Sequence, residues 1–342
     1  MVNVAVVGCG YWGPNLIRNF AALDNCTLSL ICDADPNRLA PLQRLYPGVR
    51  TTTHFEDVLN YSAIDAVVLA TPVKTHHSLG KQVLRQGKHL LVEKPLALSS
   101  QECDDLITLA DQKQLVLMVG HTFLYSPALL KVKELSQPDQ LGDIFYLYSQ
   151  RVNLGRVQPD INALWSIAPH DISIALFLMD AAPVEVSARG SCYVNAGVED
   201  VVFVTLMFPH RQMAHIHVSW VDPSRLRRVT VVGSKRMIVY DDVADEGKVK
   251  VYDKRVLKEQ GPAFGEFHYR LHSGDIYAPR LPMTEPLANE CAHFLECIEQ
   301  GKQPRSDGAN GLAVVRVLEA AQESLGRHGA AVSIQPRRLA AA

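Results

Sequence analysis

The eight residues GCGYWGPN, Gly8 to Asn15, follow directly on the apolar run Val4 to Val7 and constrain this chain more than any other stretch. A β-branched run that ends in GxGxxG and then opens a helical pattern reads as strand, tight turn and helix. Each glycine has its own task in such a turn. Gly8 permits the bend, Gly10 lets a pyrophosphate approach the backbone, and Gly13 allows helix and strand to pack closely. The free N–H groups at the helix start then face the anion. Pro14 is tolerated because the first helical turn has no N–H bond to lose. Tyr11 and Trp12 lie within the loop and are expected to contact the same ligand.

Asp33 stands at the end of the next β-branched run, Thr27 to Cys32. A carboxylate there can accept hydrogen bonds from both ribose hydroxyls of an adenosine and repels a 2′-phosphate. NAD is therefore expected in preference to NADP, although Arg38 nearby could partner a phosphate. Asp33 could also serve only to cap the turn DADPNR.

From residue 2 to about 120 the chain alternates short β-branched runs with helical patterns, the signature of βαβ units and a parallel sheet. Strands are expected at Val2 to Val7, Thr27 to Cys32, Ala66 to Ala70, His89 to Val92 and Val116 to Val119. Helices are expected at Pro14 to Leu23, Pro36 to Leu45, His76 to Gln86 and Ser99 to Gln112. After Gly120 the rhythm changes. Asp143 to Val152, Val184 to Tyr193, Val201 to Phe208, Gln212 to Trp220, Leu226 to Val232 and Met237 to Tyr240 predict a mainly antiparallel sheet, interrupted by a helix at about 167–179. The expected division is a doubly wound dinucleotide-binding domain over 1–120 and a substrate-binding and oligomerisation domain over 121–330. Helices within 288–325 are expected to pack back on the first domain.

With 342 residues, 47% of them hydrophobic, the chain is long enough for two packed domains. Its 34 Lys plus Arg against 36 Asp plus Glu leave a net charge of -2, without the basic run that a nucleic-acid partner requires. The seven cysteines are scattered and never spaced as CxxC, which argues against a disulfide framework or a zinc site and for a reducing cytoplasm. Neither a signal-peptide pattern nor an apolar run of about 18 residues is visible, so neither secretion nor membrane insertion is expected. In His215, His217 and Ser219 the alternation puts polar groups on one sheet face and Ala214, Ile216, Val218 and Trp220 on the other. No carboxylate or third histidine completes a metal site there.

The segments LATPVKTHH (Leu69 to His77) and LLVEKPLALS (Leu91 to Ser99) follow two of the expected parallel strands, where open α/β sheets bind ligands. Together with GCGYWG and the later APHD (Ala168 to Asp171), they make the chain resemble, over nearly its whole length, the glucose-fructose oxidoreductase, inositol dehydrogenase and MocA family. The resemblance implies a Rossmann domain followed by a mainly antiparallel domain similar to that of glyceraldehyde-3-phosphate dehydrogenase. It implies that Lys94 contacts both nicotinamide ribose and substrate, that the peptide before Pro95 is often cis, and that Thr71, Pro72, His76 and Glu93 line the cofactor. An ammonium beside a cofactor can, independently, hydrogen-bond a substrate hydroxyl and stabilise the alkoxide.

Relatives usually carry an Asp four residues before a histidine that relays the hydroxyl proton. Here the histidine is His170 and the Asp position holds Ser166, which can orient an imidazole one turn away but supplies no negative charge. Pro169 is expected to confine His170 to the first turn of its helix, where the macrodipole favours a neutral base. Asp171 is expected to cap that helix or meet substrate. Asn153, Arg156 and Trp165 in RVNLGRVQPDINALW, with His121 and Tyr125 in GHTFLYSP, offer amide, guanidinium and ring groups suited to a polyhydroxylated ring, with or without an anionic group. The leading expectation is NAD-dependent hydride transfer at a secondary alcohol or ketone carbon of a sugar, nucleotide sugar or cyclitol, with Lys94 and His170 catalytic, in a homodimer or homotetramer. The alternatives are a glycosidase that oxidises its sugar transiently and eliminates the glycosidic group, and a non-catalytic sensor that binds NAD and a sugar.

Overall fold

In the computed structural model, which describes residues 1–155, 157–260 and 267–334, the strand Val2–Val7 (β1) has a neighbour on each side and is almost wholly buried. It belongs to a compact unit formed by Met1–Ser126 and Thr284–Arg316. Along the chain there follow Gly13–Ala21 (α1), Cys26–Cys32 (β2), Pro36–Leu45 (α2), Arg50–Thr52 (β3), Phe55–Asn60 (α3), Ala66–Leu69 (β4), His76–Arg85 (α4), His89–Glu93 (β5), Ser100–Lys113 (α5) and Leu117–Gly120 (β6). The six strands pair in parallel in the order β3-β2-β1-β4-β5-β6. All four residues of β4 and of β6 are buried, as strands of a helix-covered parallel sheet require. Strand order reverses between β1 and β4, the switch point at which such sheets bind ligands at their carboxyl ends.

Two short elements, β3 and α3, were not expected from the sequence. β3 is Arg-Thr-Thr at the sheet edge, with no apolar run to mark it. A helix from the far end of the chain, Pro286–Gln300 (α8), packs on α1 and β1. Phe20 and Phe294, both fully buried, meet edge to face at 6.4 Å, and Arg18 donates to both oxygens of Glu285 at 3.0 and 2.6 Å. The exposed edge of β6 is covered as well: Val119 donates its N–H to the Ser306 carbonyl at 2.7 Å, and Ser306 Oγ returns a bond to the Val119 carbonyl at 2.7 Å. Pairing this edge removes a strand that would otherwise recruit another chain.

The second compact unit comprises Pro127–Met283 and Val317–Ala342, as far as these residues are described. Its elements are Pro127–Leu135 (α6), Ile144–Val152 (β7), Ala163–Met179 (α7), Glu185–Ser191 (β8), Val201–Met207 (β9), Met213–Ser219 (β10), Leu226–Gly233 (β11), Met237–Asp241 (β12), Val249–Gln260 (β13), Phe267–Tyr277 (β14) and Val332–Ser333 (β15). The helix Gly308–Gly326 (α9) begins in the first unit and ends in the second. Nine strands form one sheet, β14-β13-β12-β11-β7-β10-β9-β8-β15, antiparallel except where β10 runs parallel to β7. The long hairpin of β13 and β14 extends a sheet whose first six strands were legible in the sequence.

Alternation sorts that sheet's two faces. Val202, Val204, Leu206, Ala214, Ile216 and Val218 are fully buried beside α7, whereas Tyr146, Tyr148, Phe203 and Met213 are exposed. Phe203 stacks on His217 with ring centroids 4.3 Å apart and on His215 at 6.1 Å. The two histidines thus belong to an aromatic patch, and among the described residues no group of three ligating side chains can hold a metal.

One expectation is corrected here. The helix carrying His170 starts at Ala163, with Asn162 as its cap accepting from the Trp165 N–H at 3.1 Å, and Pro169 lies inside it. The proline therefore does not mark a first turn. Its missing backbone bond, worth about 3 kcal/mol in an exposed helix, is outweighed here by a helix with twelve buried residues. His170 consequently sits mid-helix, away from the positive end of the macrodipole.

Candidate active site

The glycine loop is shaped by backbone contacts that leave no room for side chains. Gly8 has φ +97°, and a Cβ on it would lie 2.6 Å from the Ala70 carbonyl oxygen, while one on Gly13 would lie 1.9 Å from that of Gly8. Gly10 differs, because a Cβ there would meet only the mobile end of Arg38, at 3.5 Å. Its backbone borders open space that a side chain would fill and a pyrophosphate can enter. Trp12, the N-cap of α1, makes no side-chain cap bond, which leaves helix-start N–H groups for an anion.

Asp33 ties this loop to the end of β2. Its Oδ2 accepts the Cys9 N–H at 2.6 Å and its Oδ1 the Asp35 N–H at 2.8 Å. A carboxylate has about four acceptor positions, so two remain for ribose hydroxyls. The helix cap proper is Asp35, which accepts from the Asn37 N–H. Arg38 lies 3.7 Å from Asp33 and 3.6 Å from Asp35, its charge already matched by carboxylates. The donor set fits a dinucleotide with an unmodified adenosine ribose.

Beyond β4, the Thr75 hydroxyl lies 2.8 Å from Thr71 Oγ1 and 2.7 Å from the Pro72 carbonyl, closing the turn. His76 is buried beneath it, with Nδ1 2.9 Å from the Pro95 carbonyl and Nε2 2.8 Å from the Thr71 carbonyl. Both ring nitrogens are thus engaged by backbone, and His76 braces the loops after β4 and β5. Burial pushes its pKa down, against the opposing pull of the carbonyls.

At the end of β5 the peptide between Lys94 and Pro95 is cis, and Lys94 is half-buried. Glu93 accepts the Lys94 backbone N–H at 3.2 Å and a bond from the Trp12 side chain, which joins the glycine loop to the Glu93-Lys94-Pro95 segment. His121 is 1% exposed, and neither ring nitrogen has a hydrogen-bond partner among the described residues. Burial, then the charge of Lys94, holds its pKa down at about 3, so the imidazole is neutral. Tyr11 is exposed.

Tyr125 is corrected from pocket residue to core brace. It is 1% exposed, its hydroxyl lies 2.8 Å from Ser306 Oγ, and Arg305 stacks over its ring.

In the second unit, Ser166 and His170 lie one turn apart on α7, as residues at i and i+4 do. The Gln158 side-chain amide donates to Ser166 Oγ at 3.2 Å. Asn153 and Trp165 are half-buried, and Arg156 lies outside the described residues. Asp171 is the third correction: it does not cap the helix, and its carboxylate is taken up inside the protein. It is 1% exposed, takes a bond from Arg151 Nε at 2.6 Å, and accepts from the Ser149 hydroxyl. Sequence reasoning missed Arg151 because its partner lies on another element. It also missed Glu290, a fully buried carboxyl on α8. The signal was present, since Glu290 falls within the apolar stripe Leu287, Cys291, Phe294.

Replacing Asp171 by Asn removes the buried carboxylate that Arg151 and Ser149 bind. Urea unfolding is expected to show a loss of roughly 3–5 kcal/mol; a loss below about 1 kcal/mol would return Asp171 to the set of ligand contacts.

Residues 2–121 match the family described as "oxidoreductase family, NAD-binding Rossmann fold", and residues 129–239 match the C-terminal domain of the same family. UDP-N-acetylglucosamine 3-dehydrogenase of Acidithiobacillus ferrooxidans is 28% identical over 238 residues, covering 67% of this chain and 71% of that protein. Its solved structure superposes with a TM-score of 0.80 over 95% of this chain and 98% of that one. Inositol 2-dehydrogenase of Rhizobium meliloti is 25% identical over 340 residues, 95% of this chain and 97% of the relative. The 2,7-anhydro-N-acetylneuraminate hydratase of Mediterraneibacter gnavus is 24% identical over 266 residues, 73% of this chain and 70% of the relative. With both domain types matched in order over more than half its length, and a loop built for a dinucleotide, the chain belongs to the Gfo/Idh/MocA family of NAD-binding oxidoreductases.

Proposed function

We propose that this oxidoreductase transfers a hydride between NAD and a secondary alcohol or ketone carbon of a sugar, nucleotide sugar or cyclitol. The observation that carries the reading is Lys94: a half-buried ammonium at the carboxyl end of β5, joined to the glycine loop through Glu93 and Trp12. The names of the dehydrogenase relatives support the substrate class. In this reading residues 1–120 bind the dinucleotide, and residues 121–330 bind substrate and a second copy of the chain.

The amides of Gly8 to Gly13 would hold the pyrophosphate and Asp33 the adenosine ribose, with Thr71, Pro72 and Lys94 toward the nicotinamide side. When bound, NAD supplies the acceptor for the hydride. Lys94 donates a hydrogen bond to the substrate hydroxyl and stabilises the developing alkoxide, a role that gains strength as water is excluded. His170 is the residue proposed to take the hydroxyl proton, and the position one turn before it holds Ser166 where the family resemblance implies an Asp. Buried, neutral His121 adds no charge beside Lys94.

The hydratase relative favours a second reading, in which the sugar is oxidised transiently, a group is eliminated or added, and the sugar is reduced again. That cycle forms no net reduced cofactor. Among the described residues no helix is long and apolar enough to cross a membrane, and seven free cysteines, five of them buried, support a reducing cytoplasm.

Purified protein screened against nucleotide sugars and inositols with NAD is expected to produce reduced nicotinamide with one of them. Lys94→Met is expected to lower that rate roughly a hundred- to a thousandfold while still binding NAD. Full activity in Lys94→Met would refute the assignment, and product without net reduced cofactor would select the second reading.

The exposed face around Tyr148 (38%) and Phe203 (43%) supports assembly as a homodimer or homotetramer through the nine-stranded sheet. Light scattering is expected to show monomers for Phe203→Glu; an unchanged mass would contradict this surface.

A further inference from the structure

Within the first unit lies a buried carboxyl that the proposed chemistry does not use. Glu290 on α8 has 0% exposure. Its Oε2 accepts from the Thr122 hydroxyl at 2.8 Å, and its Oε1 has no hydrogen-bond partner among the described residues. Thr122 lies two residues after Gly120, and Gly120 pairs in register with Glu93. A Cβ on Gly120 would lie 3.0 Å from the Glu93 carboxylate, so that side chain packs closely against the Gly120 backbone. Glu93, Gly120, Thr122 and Glu290 form one continuous set of contacts and neighbours. The charge of Glu93 is felt at Glu290.

An ionised carboxylate with a single hydroxyl donor and another carboxylate nearby cannot be kept in a dry interior, because desolvation and like-charge repulsion act in the same direction. The groups around it offer no relief. Lys94 is matched to Glu93, His121 is neutral, and Arg18 is held by Glu285. The thiols of Cys26 and Cys291 are buried or half-buried and carry no positive charge.

We propose that Glu93 and Glu290 are a coupled pair that holds one proton in the working state, Glu290 as the neutral acid and Glu93 as the single negative charge beside Lys94. Glu290 is then a positioning residue for the Glu93-Lys94-Pro95 segment. The inference rests on the reading of Lys94 as the group that binds the substrate hydroxyl. Burial, opposed by Lys94, brings Glu93 to a pKa of about 7, while burial and then Glu93 push Glu290 well above the ordinary carboxyl range. Glu93 therefore loses its proton first, and the charge it acquires holds the second proton on Glu290.

Infrared spectra of the dinucleotide-free protein, titrated with pH, read this directly. A protonated-carboxyl C=O band is expected to survive at about pH 8, above the Glu93 ionisation near 7. It should be absent from Glu290→Gln, and in Glu93→Gln it should disappear at a lower pH than in the unaltered protein. Turnover gives the second reading: Glu290→Gln, with the shape of a neutral acid and an acceptor for Thr122, should retain roughly tenfold more kcat than Glu290→Leu. No surviving band, a band that persists in Glu290→Gln, or equal losses in the Gln and Leu variants would overturn the pair. If the infrared results hold while Lys94→Met stays active, the pair stands and the role of Lys94 falls.

Discussion

The backbone of Gly8 lies against the start of α1 so closely that a Cβ on Gly13 would be 1.9 Å from the Gly8 carbonyl oxygen. That contact fixes where the first helix begins and leaves its uncapped amides at the carboxyl end of β1. Asp33 then holds the loop from the neighbouring strand through the Cys9 N–H, and Trp12 reaches from the loop to Glu93. The ligand-binding end of the parallel sheet is thus assembled from three strand ends, each constrained by backbone packing or a polar bond.

The charges at this end are arranged with economy. Lys94 faces neutral His121, and burial keeps that imidazole from competing with Lys94 for an anion. Glu93 supplies one negative charge, and Glu290 sits behind it in the same unit. His76 occupies carbonyls that would otherwise be left bare under the loops after β4 and β5. An ammonium held in a partly dry setting beside a carboxylate is suited to stabilise an alkoxide as it forms, since the stabilising charge needs little rearrangement.

Much of this was legible in the sequence because it is local. The strand, glycine loop, helix and Asp33 are read from adjacent residues, and the period of two in Ala214 to Trp220 sorts the faces of β10 without knowledge of its neighbours. What stayed hidden depends on partners distant in the chain. Tyr125 looked like a pocket residue until Ser306 and Arg305 closed around it. Asp171 read as a helix cap or a substrate contact until Arg151 took it. Pro169 suggested a helix start, but packing along a largely buried α7 outweighs one missing backbone bond. β3, with three polar residues at an edge, carries no hydrophobic signal at all.

The central claim is that the open backbone at Gly10 receives a pyrophosphate, and calorimetry of NAD binding to Gly10→Ala tests it most directly. The fold has room for that methyl group, so unfolding free energy is expected to stay within about 1 kcal/mol of the unaltered protein. NAD affinity is expected to fall at least roughly tenfold, about 1.4 kcal/mol. Unchanged affinity in a stably folded Gly10→Ala protein would contradict the account.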